Sequence, residues 1–108
     1  MAQTSSRGGR QTEPRTIRVM ISGRVQKVGF RACIRKIATN LGITGEVMNL
    51  EDGRVLIHAT AEPVILEKFT SMLYGCPRAI VRDVNVNACE FMAFPDFSIE
   101  KGVHQYVK

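Results

Sequence analysis

The chain has 108 residues, 44% of them hydrophobic, and a formal net charge of +5, which fits one domain with a single core. No apolar run approaches the roughly 18 residues of a membrane helix, and the first ten residues lack the hydrophobic stretch of a signal peptide. These features argue against a helical membrane protein and a secreted one, and they predict a cytoplasmic protein whose mild basic balance suits an anionic ligand without requiring nucleic acid.

The start of the chain separates into a tail and a first strand. Residues 1–15 are polar, aperiodic and rich in glycine, serine and arginine, which predicts a disordered N-terminal tail. The folded domain is then expected over 16–108. Its first element is a strand over 16–22, because Ile17, Val19 and Ile21 alternate with other residues.

The apolar spacing then changes from two residues to three or four. This spacing predicts a helix that begins near Val28 and ends at Leu41, before Gly42. Two further strands are predicted over 44–49 and 54–61, and an acidic turn closed by glycine joins them.

The second half of the domain repeats this order. Pro63 fits the first turn of a second helix, which ends near Gly75. In the fourth strand we expect Val84 and Val86 to point inward. The remaining predicted elements are that fourth strand over 80–88, a short fifth strand over 97–99 and a trailing end over 103–108.

The element order β-α-β-β-α-β with an extra strand predicts an α+β fold of the ferredoxin-like, split β-α-β type. Two helices would cover one face of an antiparallel sheet. In this topology the first two strands run parallel with the third between them, so their C-terminal ends meet at one edge of the sheet. The loop that follows the first strand and Asn49, at the end of the second, are therefore expected to lie together.

That loop has the features of an anion site. It joins a strand to a helix, where unpaired backbone N–H groups and the positive end of the helix dipole converge. Arg31, in the first helical turn, adds a planar fork that suits phosphate oxygens, and the Asn49 amide can hold a water. No carboxylate pair, Ser-His or Cys-His arrangement, or metal-ligand spacing accompanies them. This set of groups suits displacement at phosphorus with a good leaving group, as in a mixed anhydride.

The three cysteines are predicted to have no catalytic role. Cys33, Cys76 and Cys89 form no CxxC motif, which indicates three reduced and mostly buried thiols. A nucleophilic Cys33 near Arg31 is the alternative, and its place on the next face of the helix disfavours it.

The loop after the first strand and the stretch around Asn49 resemble the acylphosphatase family in sequence. The resemblance covers roughly residues 16–101 and depends on two motifs, Gly23-Arg24-Val25-Gln26-x-Val28-Gly29-Phe30-Arg31 and Gly45-x-Val47-x-Asn49-x-x-Asp52-Gly53-x-Val55. It implies hydrolysis of acyl phosphates to a carboxylate and inorganic phosphate by a monomer that needs no metal or cofactor. It further implies that Arg31 binds the phosphate and that Asn49 orients the attacking water. The backbone amides of the loop would bind the phosphoryl oxygens; these belong to Arg24, Val25, Gln26, Lys27, Val28, Gly29 and Phe30.

Four positions depart from the family's usual residues. Lys27 stands where the family commonly has glycine, and a left-handed backbone there would cost of order 1 kcal/mol. Ala32, Glu46 and Met48 also differ. These departures leave open a non-catalytic, phosphate-binding regulatory module on the same fold. A related alternative is that the domain acts on carbamoyl phosphate, as acylphosphatase-like domains do in larger hydrogenase-maturation proteins.

RNA binding on the open face of the sheet is a third possibility. An RNA-recognition sheet needs aromatic side chains on its central strands. The outward residues of the first strand are Arg18, Met20 and Ser22, and the third strand has no aromatic residue. The sequence therefore predicts no nucleic-acid partner.

Overall fold

The computed structural model describes residues 13–101, and its elements follow the predicted order. The predicted tail up to residue 12 and the trailing end from residue 102 lie outside the described residues. The first strand begins within the predicted tail, at Arg15, because Arg15 pairs with Ala61 of the third strand. The elements are β1 (Arg15–Arg24), α1 (Phe30–Asn40), β2 (Thr44–Asn49), β3 (Val55–Ala61), α2 (Pro63–Met72), a 3₁₀ turn (Leu73–Gly75), β4 (Ile80–Cys89) and β5 (Phe97–Glu100).

The five strands form one sheet in the order β4-β1-β3-β2-β5, which confirms the ferredoxin-like α+β fold. Strand β3 lies between the parallel pair β1 and β2, and it is antiparallel to both. The prediction of an antiparallel sheet is wrong at one edge, where β5 runs parallel to β2. Because β4 runs antiparallel to β1, it ends at the sheet edge where β1 begins. The chain then passes along that edge, where Met92 is hydrogen-bonded to Thr16 and Thr60, and β5 starts from it.

The core lies between the sheet and the two helices. Helix α1 buries Phe30, Ile34 and Ala38, which are four residues apart and therefore share one face. Helix α2 adds Leu66 and Phe69. Full burial of one such large apolar side chain contributes about 1.5–3 kcal/mol. These contacts fix the first turn of α1 against the sheet. None of the helices within residues 13–101 is long and apolar enough to cross a membrane.

Strand β4 is less covered than its alternating sequence predicts. Val84 is half-buried. Val86 pairs with the core residue Val19 and so lies on the helix-facing side as predicted, but it is 45% exposed and is not part of the core. The strand lies at the sheet edge, where α2 leaves an open apolar hollow of about 400 Å³ that Val86 and Leu66 help to line. Alternation in the sequence shows which face a residue occupies, whereas burial also requires an element opposite it.

The structure joins two of the cysteines. Cys33 of α1 and Cys76, directly after the 3₁₀ turn, form a disulfide with a Cα–Cα distance of 6.0 Å. The prediction of three reduced thiols is therefore wrong for this pair, while Cys89 stays outside the bridge and half-buried. The two cysteines are 43 residues apart in sequence, and their proximity comes from the packing of α1 beside the end of α2.

Candidate active site

The loop between β1 and α1 begins at a bulge that requires glycine. The β1–β4 register shifts between Ser22 and Gly23, and Gly23 has a φ of 132°. A Cβ at this position would collide with the carbonyl oxygen of Ile80. Beyond the bulge Gly23 and Arg24 still pair with β4, and residues 25–29 then form a loop at the end of the sheet before α1 starts.

The same loop presents a run of backbone donors. Gly29 caps α1 with a left-handed φ of 76°, and no side chain caps the helix or places an acidic group in its first turn. Within the described part of the chain, the hydrogen bonds include none from the backbone N–H groups of residues 26–30. Such consecutive donors at the positive end of a helix form a site for an anion.

The predicted loop residues contribute to this site in two ways. The side chains of Val25 and Phe30 are each 1% exposed and pack in the core, so these residues can contribute only backbone groups to the site. Arg24 and Lys27 are exposed, as expected of charged groups at a sheet edge. Lys27 has a φ of 65°, so the position where the family commonly has glycine adopts a left-handed backbone in this chain.

Arg31 is the second residue of α1 and is half-buried. Side chains of an α-helix tilt toward its N-terminus, which here is the loop. Among residues 13–101 the guanidinium of Arg31 takes part in no ion pair or side-chain hydrogen bond. Its five donors are therefore available to a ligand on the loop.

A direct contact joins the loop to the end of β2. The amide nitrogen Nε2 of Gln26 donates to the carbonyl oxygens of Leu50 and Arg54, each at 2.9 Å. Gln26 therefore braces the loop and holds it against the turn that follows Asn49. The two motifs meet at one edge of the sheet, although their sequences are about 20 positions apart.

Asn49 carries a buried acceptor without a partner. It is the last residue of β2 and pairs with Val55 in the ladder. Its side-chain oxygen Oδ1 is buried and accepts no hydrogen bond. A buried polar atom left unpaired costs about 1–3 kcal/mol, so its persistence needs an explanation. Asn49 directly precedes Leu50, to which the loop residue Gln26 is bonded, so this acceptor lies at the same end of the sheet as the loop.

The acidic turn after Asn49 is occupied by a local ion pair. Asp52 accepts hydrogen bonds from the Arg54 side chain at 2.8 Å and from its backbone N–H at 3.1 Å. The side-chain hydrogen bond from Arg54 is the main cause that lowers the pKa of Asp52. The carboxyl group is thus held as an anion and is not suited to act as a proton donor. Within residues 13–101, no group of three or more His, Cys, Asp and Glu side chains is positioned to hold a metal.

Arg78 is a further cation beside this site, and neither sequence motif contains it. An ideal Cβ built on Gly29 would lie 3.9 Å from Nη2 of Arg78, so this guanidinium reaches the end of the loop. Arg78 precedes β4, and β4 begins beside the end of β1. The signal was available, because the predicted topology places the start of the fourth strand at the same sheet edge as the loop.

Lys27→Gly is expected to raise the free energy of unfolding by about 1 kcal/mol. A left-handed backbone costs a non-glycine residue about 1–2 kcal/mol, and the greater freedom of glycine in the unfolded chain offsets part of the gain. Urea denaturation measures the change. The matched control is Lys36→Gly within α1, and its free energy of unfolding is expected to fall by about 1 kcal/mol. Equal destabilisation of both variants would contradict the assignment of strain to Lys27.

Comparison with known proteins gives a consistent result. The family model described as Acylphosphatase matches residues 17–99. An acylphosphatase from Archaeoglobus fulgidus is 44% identical over 84 residues, which cover 77% of this chain and 94% of that protein. The structure of an acylphosphatase from Coxiella burnetii superposes with a TM-score of 0.78 and 35% identity, over 82% of this chain and 94% of that one. The structure of the acylphosphatase from Bacillus subtilis gives a TM-score of 0.76 and 32% identity, over 79% of this chain and 97% of that one.

Proposed function

This chain belongs to the acylphosphatase family and hydrolyses the carboxyl–phosphate bond of acyl phosphates, and we propose that Arg31 and Asn49 carry the reaction. The substrate is a small acyl phosphate, and the products are a carboxylate and inorganic phosphate. The observation that carries the assignment is the buried Oδ1 of Asn49, which has no hydrogen-bond partner and belongs to the residue before Leu50, to which the loop residue Gln26 is bonded.

The loop and Arg31 are proposed to bind the phosphoryl group. The N–H groups of residues 26–30 and the guanidinium of Arg31 donate to its three non-bridging oxygens. Charge builds up on those oxygens during phosphoryl transfer, and donors fixed in advance by the fold stabilise it without reorganisation. The brace from Gln26 keeps the loop in this conformation.

Asn49 is proposed to orient the nucleophile. A water donates a hydrogen bond to Oδ1 and directs a lone pair of its oxygen at the phosphorus. The new O–P bond forms as the bond from phosphorus to the carboxyl oxygen breaks, and the carboxylate leaves with the bonding electrons. The proton of the water passes to a phosphoryl oxygen. Carboxylate is a good leaving group, so the step requires neither a general acid nor a metal.

We propose a metal-independent enzyme that acts in the cytoplasm as a monomer, without a nucleic-acid or membrane partner. Against an RNA-binding sheet, Leu56 and His58 on the outward face of β3 are 0% and 8% exposed, so the face offers no open stacking platform. The division into a tail over 1–15 and a domain over 16–108 stays a prediction. Nothing in the comparisons favours the non-catalytic module.

Asn49→Ala is expected to lower kcat for benzoyl phosphate about 100-fold, with KM and the inhibition constant for phosphate nearly unchanged. The loss falls on kcat because the amide positions the water and does not bind the phosphate. Hydrolysis is measured with EDTA present, which also tests metal independence. Asn87→Ala on the exposed side of β4 is the matched control and should leave kcat within about twofold of wild type.

Two results would contradict this proposal. A raised KM with unchanged kcat would mean that Asn49 binds substrate and does not orient water. Phosphate binding without any hydrolysis by the wild type would identify the chain as the non-catalytic module.

A further inference from the structure

The loop lies between two groups of different chemistry. Its middle contacts the β2 side of the sheet, where Gln26 bonds to the carbonyl oxygen of Leu50. Its end contacts the β4 side, where Arg78 reaches Gly29. Strands β2 and β4 lie on opposite sides of β1. Asn49 and Arg78 therefore flank the phosphate loop from opposite directions.

Arg78 is held in place by its neighbours along the chain. Cys76, two residues earlier, is bonded to Cys33 in α1, and Pro77 between them has a fixed φ. Two residues later, Ile80 pairs with Arg24 in the sheet. Arg78 itself has a left-handed φ of 70°, a costly conformation for arginine that persists only where the surroundings determine it.

Among the residues that the structure describes, the guanidinium of Arg78 has no ion-pair or hydrogen-bond partner. Within residues 13–101 the ion pairs join Arg54 to Asp52 and His58 to Glu46, and neither involves Arg78. Its side chain is exposed and makes no hydrogen bond to another described residue. A strained arginine that is restrained at both ends and unpaired at its tip is suited to bind an anion from solution.

The direction of the reaction indicates which part of the substrate it meets. Attacking and leaving oxygens lie roughly in line through the phosphorus. If the water is on the Asn49 side, the acyl group departs on the opposite side, which is the side of Arg78. The phosphoryl group already has the loop amides and Arg31, so Arg78 is available to the acyl half.

We propose that Arg78 binds the acyl half of the substrate and makes this enzyme prefer acyl phosphates whose acyl group carries its own negative charge. That charge can be a carboxylate or a second phosphate, because guanidinium pairs with both. The proposal names a specificity-determining residue and rests on the function proposed above.

The test compares rigid, para-substituted benzoyl phosphates that differ mainly in charge. The substrates are benzoyl phosphate, the neutral 4-carboxamidobenzoyl phosphate, 4-carboxybenzoyl phosphate and 4-phosphonooxybenzoyl phosphate. Arg78→Ala is expected to lower kcat/KM for the two charged substrates about tenfold, the size of one charge-assisted contact, and to change the neutral ones less than about twofold. The larger of the two charged effects identifies which anion Arg78 recognises.

Controls separate this effect from a change of fold or net charge. Lys68→Ala removes one exposed positive charge from α2 and should leave the ratios of kcat/KM among the four substrates unchanged. Arg78→Lys should keep part of the preference, because the charge remains without the planar fork. Added NaCl should weaken the wild-type preference, because an exposed charge pair is screened by salt.

Each outcome decides the proposal. A loss in Arg78→Ala that is confined to the charged substrates supports it. An equal loss on all four substrates, or no loss, would overturn the role of Arg78 while hydrolysis by the wild type upholds the enzyme. Failure of the wild type to hydrolyse any of the four would overturn the proposed function and this inference with it.

Discussion

Arg31→Ala is expected to reduce kcat/KM for benzoyl phosphate about 1000-fold, the largest effect of any single substitution at this site. In the proposed mechanism the guanidinium contacts the group on which transition-state charge accumulates, and its planar fork has no substitute among the loop amides. Arg31→Lys keeps the charge without the fork and should recover about tenfold of the lost activity. Steady-state hydrolysis at several phosphate concentrations separates loss of binding from loss of turnover.

The fold should not respond to this change. Arg31 is half-buried and makes no ion pair with another described residue, so its truncation is expected to alter the free energy of unfolding by less than about 0.5 kcal/mol. Arg35→Ala, one turn further along α1 and exposed, is the matched control for charge and helix position. Comparable activity in the Arg31→Ala and Arg35→Ala proteins would remove Arg31 from the mechanism.

Local patterns predicted what local forces determine. Strand β2 has the predicted bounds of 44–49, and Pro63 opens α2 as its fixed φ suggests. The topology predicted that the loop lies near the end of β2, and Gln26 is bonded to the turn that follows Asn49. A left-handed backbone at Lys27 was considered only as a condition, and the structure shows it with a φ of 65°.

The errors concern contacts made across long sequence distances. The parallel pairing of β5 depends on which sheet edge the chain reaches after β4, and the exposure of Val86 depends on how far α2 extends. Neither is visible in an alternating pattern. The bond between Cys33 and Cys76 likewise requires the packing of α1 against the end of α2. Arg78 differs from these cases, because the predicted topology already places the start of β4 at the same end of the sheet as the loop, although Gly29 is far away in sequence.

The Cys33–Cys76 disulfide is expected to contribute about 4 kcal/mol to the free energy of unfolding. A bridge across 43 residues removes many conformations from the unfolded chain, and this chain-entropy effect grows with the logarithm of the loop length. Urea denaturation with and without dithiothreitol measures it, and Cys76→Ser should reproduce the effect of the reductant. The expected fall in the urea midpoint is at least about 1 M.

The same experiment tests whether the bridge also serves the substrate site. Cys89→Ser removes a half-buried thiol outside the disulfide and should change stability by less than about 1 kcal/mol. In Cys76→Ser the turn that carries Arg78 loses its bond to α1, so hydrolysis of 4-carboxybenzoyl phosphate should fall more than hydrolysis of benzoyl phosphate. An identical urea midpoint with and without dithiothreitol would mean that the thiols are reduced in solution. In that case the restraint on Arg78 would come only from Pro77 and from the pairing of Ile80 with Arg24.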